Sequence, residues 1–175
     1  MSAETAIIIS EQTAFFQKAV DFIQSIGISV LFREIPEKSF LPGISIKAGE
    51  IIVDPEKLKY PGDILHEAGH IAVVPLSERA DLDEVSICKR PMREAEEMMA
   101  IAWSYAACVH LGIDAGFVFH DEGYQKGGSD IAQNFKEGRY FGVPMLQWTG
   151  MAVEKPNPEQ PELPLYPQML KWARD

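Results

Sequence analysis

Apolar residues recur three and four apart over residues 11–26, where Phe15, Ala19, Phe22, Ile23 and Ile26 fall on one side. That spacing predicts an amphipathic helix, and Gly27 is placed to end it. The period then changes. Residues 28–35 are rich in β-branched and aromatic side chains and read as a strand that Pro36 stops. After the turn signal Pro42-Gly43, residues 44–47 and 50–53 flank Ala48-Gly49 and predict a hairpin. An oily segment follows over residues 62–74, with Pro61-Gly62-Asp63 as a helix start and Pro75 as a stop. Residues 75–90 are polar and charged and read as a solvated loop. Pro91 opens a long helix over 92–111. Its first turns are acidic and its remainder is apolar nearly all round, which predicts a central buried helix.

Beyond Gly112 the pattern weakens. Residues 113–128 mix aromatics with turn residues and predict loops. Ser129 is placed to cap a helix over 130–137. Residues 139–153 are apolar but broken by Gly and Pro, and predict packing without long regular structure. Pro158, Pro161, Pro164 and Pro167 stand three apart, the repeat of a polyproline II helix. A stiff strap ending in a short helix, laying residues 168–174 on the domain, is preferred to a ligand for a proline-recognising partner. Otherwise Leu163, Leu165, Tyr166, Leu170 and Trp172 would stand in water. The expected architecture is α+β. It is one domain over 1–175 with a core at about 11–153 and a proline-rich strap over 154–175. A small antiparallel sheet or hairpin lies beside the helix of 62–74 and the long buried helix.

Composition narrows the partners. The chain has 175 residues, 46% of them hydrophobic, and a net charge of −10. Such a surface argues against nucleic acid or an anionic membrane as a partner. Cys88 and Cys108 make no disulfide framework. The first ten residues lack the basic region of a signal peptide, so a cytoplasmic setting is expected.

The candidate chemistry lies in the helix of 62–74. His66-Glu67-Ala68-Gly69-His70 reads H-E-x-x-H. Residues four apart share a helix face, so both imidazoles can reach one metal ion. Zinc accepts neutral imidazole, and a catalytic site usually adds a third protein ligand and a water. Glu67 is placed to take that water's proton. For the third ligand the remaining histidines are unsuited. Val73 and Leu76 occupy the positions of an extended three-histidine motif, and His110 lies at the far end of the long helix. A carboxylate at the start of that helix is expected instead. Glu97 directly precedes the apolar body, where a buried carboxylate most needs a cation. Glu94 is the competing ligand or an acceptor behind a histidine, and Glu96 points away into solvent. Asp63 is another such acceptor or a helix cap. His120 or Tyr124, downstream, could donate to an oxyanion.

The motif, the N-terminal helix, the hairpin and the acidic start of the following helix together resemble a zincin-type zinc metallopeptidase with a glutamate third ligand. Within that group the chain is similar to small bacterial peptidases that cleave transcriptional repressors in DNA-damage and mobile-element responses. The resemblance covers about residues 11–111. It implies a zincin fold, zinc on His66, His70 and a glutamate, Glu67 as catalytic acid and base, and a peptide or protein substrate. The family's run of Glu, then Ala, then Asn or Asp is matched only loosely, by Glu94-Ala95-Glu96. Two other functions fit the same residues. One is a binding module holding zinc in a closed four-ligand site. The other is a hydrolase of small amides with a closed pocket lined by Trp103, Tyr105 and Phe119, in place of a cleft along 44–53.

Overall fold

The computed structural model describes residues 3–36, 39–124 and 126–175. The first helix, α1 (Ala3–Ser25), begins eight residues before the amphipathic pattern does. Gly27, with φ +86°, turns the chain into β1 (Val30–Phe32). β2 (Ile44–Lys47) and β3 (Glu50–Val53) form the expected hairpin, with Lys47 opposite Glu50 and both turn residues, Ala48 and Gly49, at positive φ. That is the backbone a two-residue hairpin requires.

The sheet is mixed, not purely antiparallel. β1 pairs with the other edge of β3 in parallel, Val30 opposite Ile51, giving the order β1-β3-β2. The strand expected over 28–35 is cut to three residues because β3 offers only a short ladder. Beyond it, the Ile35 N–H turns to the Asp54 carboxylate at 3.0 Å.

The sheet packs on one helix, which packs in turn on a second, longer one. α2 (Asp63–Ala72) buries Ile64, Leu65, Ala68, Ile71 and Ala72. α4 (Arg93–Leu111) is buried continuously from Met99 to Cys108, as its all-round apolar pattern predicts. Their approach is close because Gly69 has no side chain. A Cβ there would sit 3.0 Å from the Ala100 carbonyl oxygen and 3.3 Å from the Ala100 Cβ. One turn away the Ser104 hydroxyl donates to Ala100 O at 2.7 Å and lies 3.3 Å from Leu65 O.

Residues 75–90 are not the expected loop. They form a 3-10 turn (Leu76–Asp81) and α3 (Glu84–Lys89), started by a capping box between Asp83 and Ser86. A serine in the second half of that box is a weak signal in sequence. Neither element holds a buried residue, but Leu82 between them is buried in the core, so the segment is solvated only in part. α5 (Gly128–Lys136) starts earlier than expected, and Gly127, not Ser129, stands at its N-cap. Residues 139–153 contain α6 (Val143–Trp148), with Pro144 in its first turn.

The tail lies against the domain as a strap. The Tyr166 hydroxyl donates to Ala102 O at 2.8 Å, and Ala152 bridges Met169. The short closing helix is absent, since residues 168–174 form bends and that bridge. Trp172 docks among Phe22, Trp103 and His110, and its carbonyl accepts the Trp103 indole N–H at 2.8 Å. The Arg174 N–H then reaches Ala72 O at 2.8 Å, the last turn of α2. Arg79 donates to Ala72 O and Arg174 O, tying the same corner. No described helix is long and apolar enough to cross a membrane.

Candidate metal centre

Gly69 and Ala100 hold α2 and α4 together, and this contact builds the site. Glu97 lies one turn before Ala100 and so faces His66 and His70, which flank Gly69. The two imidazole Nε2 atoms are 3.2 Å apart. Glu97 places Oε1 at 3.5 Å from His66 Nε2 and Oε2 at 3.3 Å from His70 Nε2. A tetrahedral zinc with bonds of about 2.0–2.1 Å separates its ligand atoms by about 3.3–3.4 Å. The three side chains therefore fit such an ion. Among the described residues no other group of three possible ligands converges in this way.

The electrostatics of the site suit a cation. Burial pushes His66 well below the usual histidine range and His70 to about 4, so both are neutral, as ligands must be. Burial raises Glu97 as well. Glu67 is pushed up to about 8, by burial first and then by Asp63, Glu97 and Glu84. Two neutral imidazoles and the Glu97 carboxylate in one place are a donor set that a divalent ion would accept. His66 Nδ1 is buried with no partner among the described residues.

The competing carboxylates are placed elsewhere. Glu94 is exposed and bonded to Arg93 at 2.7 Å, neither ligating nor behind a histidine. Glu96 does not point into solvent. It is 8% exposed and accepts two hydrogen bonds from Arg90, at 2.6 and 2.9 Å, while Arg90 also reaches Glu78. Arg90 lies across a helix break from Glu96, so helical spacing could not reveal the pair. Asp63 opens α2 without capping it; it lies 2.7 Å from His120 Nε2. His110 rests on Phe22 and Trp172, far along α4.

The two oxyanion candidates separate. His120 Nδ1 accepts the Gly123 N–H at 3.1 Å, so its proton is on Nε2 and is given to Asp63. The ring stacks on Tyr60 at 4.2 Å. Both nitrogens are therefore occupied, and His120 fixes the loop instead of facing substrate. Tyr124 follows in that loop, edge-on to His66 at 5.8 Å and lining the cavity. Burial first, then Asp63, Glu97 and Glu67, hold its hydroxyl well above the ordinary tyrosine value, so it is protonated and able to donate.

His66, Glu67, His70 and Glu97 open into a cavity of about 830 Å³. Phe40, Leu41 and Ile44 form one wall, and α3, with Val85, Ile87 and Cys88, another. Trp103, Tyr105 and Phe119 are core residues and do not line it. No family model, curated protein or solved structure matches this chain. The site must therefore be read from its own geometry.

Proposed function

We propose that the chain is a zinc-dependent peptidase of the zincin type that hydrolyses peptide bonds. The observation that carries the reading is the convergence of His66, His70 and Glu97 at tetrahedral spacing with Glu67 beside them at the cavity. Two imidazoles and one carboxylate suit zinc. Three protein donors leave room for a water, which favours a catalytic over a closed structural site. A wall that includes Ile44, at the start of the outer strand of the sheet, favours an extended peptide over a small amide.

When bound, zinc would polarise the scissile carbonyl and acidify a water. Glu67, held protonated by burial in metal-free protein, would be ionised beside a bound cation. It would then take a proton from the attacking water and return it to the leaving amine. Tyr124 donates its hydroxyl to the developing oxyanion. His120, bonded to Asp63, holds the Tyr124 loop against the start of α2.

Metal content of the purified protein tests this. Wild type and Glu94→Ala are expected to carry about one zinc per chain, and Glu97→Ala less than half. A protein that takes up no zinc even when it is supplied would refute the reading. Equal zinc in all three would remove Glu97 from the ligand set.

A further inference from the structure

Six carboxylates line the cavity, and five of them have a place. Asp63 meets His120, Glu94 meets Arg93, and Glu96 meets Arg90. Glu97 faces the imidazoles and Glu67 stands beside them on α2. Glu84 is different. Among the described residues it meets no cation, and its hydrogen bond comes from the Phe40 N–H at 3.5 Å. Position in the first turn of α3 suits a glutamate. That preference does not account for a half-buried carboxylate facing a cavity beside exposed apolar surface. Phe40 is 88% exposed and Val85 59%.

The cations of the cavity do not serve Glu84. Arg93 is bonded to Glu94. Lys89 is five residues further along α3, which at 100° per residue puts it about 140° round the helix. Glu84 also borders a second cavity with Arg33 and Lys47, and among the described residues it forms no ion pair with either. On its other side it stands beside apolar wall, where an arriving cation gains more than at an open surface. The apolar walls suit the side chains on either side of that cation.

We propose that Glu84 determines specificity at this site by receiving a cationic group of the bound peptide, a Lys or Arg side chain, while Phe40 and Val85 take its apolar neighbours. The inference rests on the peptidase reading for the kind of ligand, not for turnover.

The test is binding to zinc-loaded Glu67→Gln protein, read by fluorescence anisotropy. The probe is a fluorescein-labelled nonapeptide of Ser and Leu with Lys, norleucine or Glu at its centre. The Lys peptide is expected to bind about fivefold more tightly than the norleucine peptide, and the Glu peptide more weakly than either. Adding Glu84→Gln removes the advantage of Lys and leaves norleucine within about twofold. Adding Glu84→Lys reverses the order of the Lys and Glu peptides. Equal binding of Lys and norleucine, or a Lys advantage that survives Glu84→Gln, overturns the assignment. So does competition that needs a free peptide N-terminus, tested with acetylated and free competitors, because the cation would then be the α-amine. Cleavage of the same peptides by wild type is read separately. Binding with the Lys preference but without cleavage refutes the peptidase and keeps the role of Glu84. Cleavage without the preference does the reverse.

Discussion

Glu67→Gln is expected to lower peptide hydrolysis by about a thousandfold, within the range that removing a general base costs. Glutamine keeps the shape of the side chain but cannot accept the proton of the attacking water. Zinc content should stay at one per chain, because Glu67 is not among the three converging ligands. The same substitution gives a second signal in metal-free protein. Glu67 in the fold holds its proton up to about 8, against 4.5 for an ordinary glutamate. The unfolded chain therefore releases that proton first as pH rises, and ionising the folded carboxylate costs stability. His66 and His70, lowered by burial, act in the opposite sense at the acid end, so the Glu67 component is read as a difference. The stability of metal-free wild type relative to Glu67→Gln should fall from about pH 4.5 to 8. Thermal melts across that range measure it. Unchanged hydrolysis by the variant would refute the mechanism, and parallel pH curves would refute the burial of the charge.

Trp172→Ala is expected to destabilise the domain by about 3 kcal/mol, in the range for truncating a well-packed tryptophan. For a chain of this size that lowers Tm by roughly 6–12 °C. The ring meets Phe22 at 4.8 Å, Trp103 at 5.6 Å and His110 at 5.1 Å, so its loss opens a cavity where the tail, α1 and α4 join. Leu170, 40% exposed, is the control, and its alanine variant should shift stability by no more than about 0.5 kcal/mol. Thermal unfolding of both variants at fixed zinc concentration separates the two cases. Equal small shifts would mean that the strap is not part of the core.

The parts legible in sequence are those written in local spacing. The four-residue step from His66 to His70, the apolar run of α4 and the Ala48-Gly49 turn each predict their own structure. Glu97 is expected from its place at the edge of the apolar run, and it does converge on the two imidazoles. What spacing could not show joins distant segments. The parallel pairing of β1 with β3 depends on a crossover. The partnership of Glu96 with Arg90 spans a helix break and reverses the solvent-facing expectation. The division of labour between His120 and Tyr124 depends on which atoms Asp63 and the Gly123 N–H occupy. Gly69 occupies an unspecified place in the motif, yet its missing side chain lets α4 come close enough to bring Glu97 to the imidazoles.

The fastening of α2 at Ala72 has a consequence for synthesis. Arg79 and the Arg174 carbonyl are bonded across 95 positions of the chain, and the Arg174 N–H closes the last turn of the helix that carries His70. During translation, that corner stays open until the strap has left the ribosome. The nascent chain would display both histidines before their helix is secured, which waits for Arg174 to emerge.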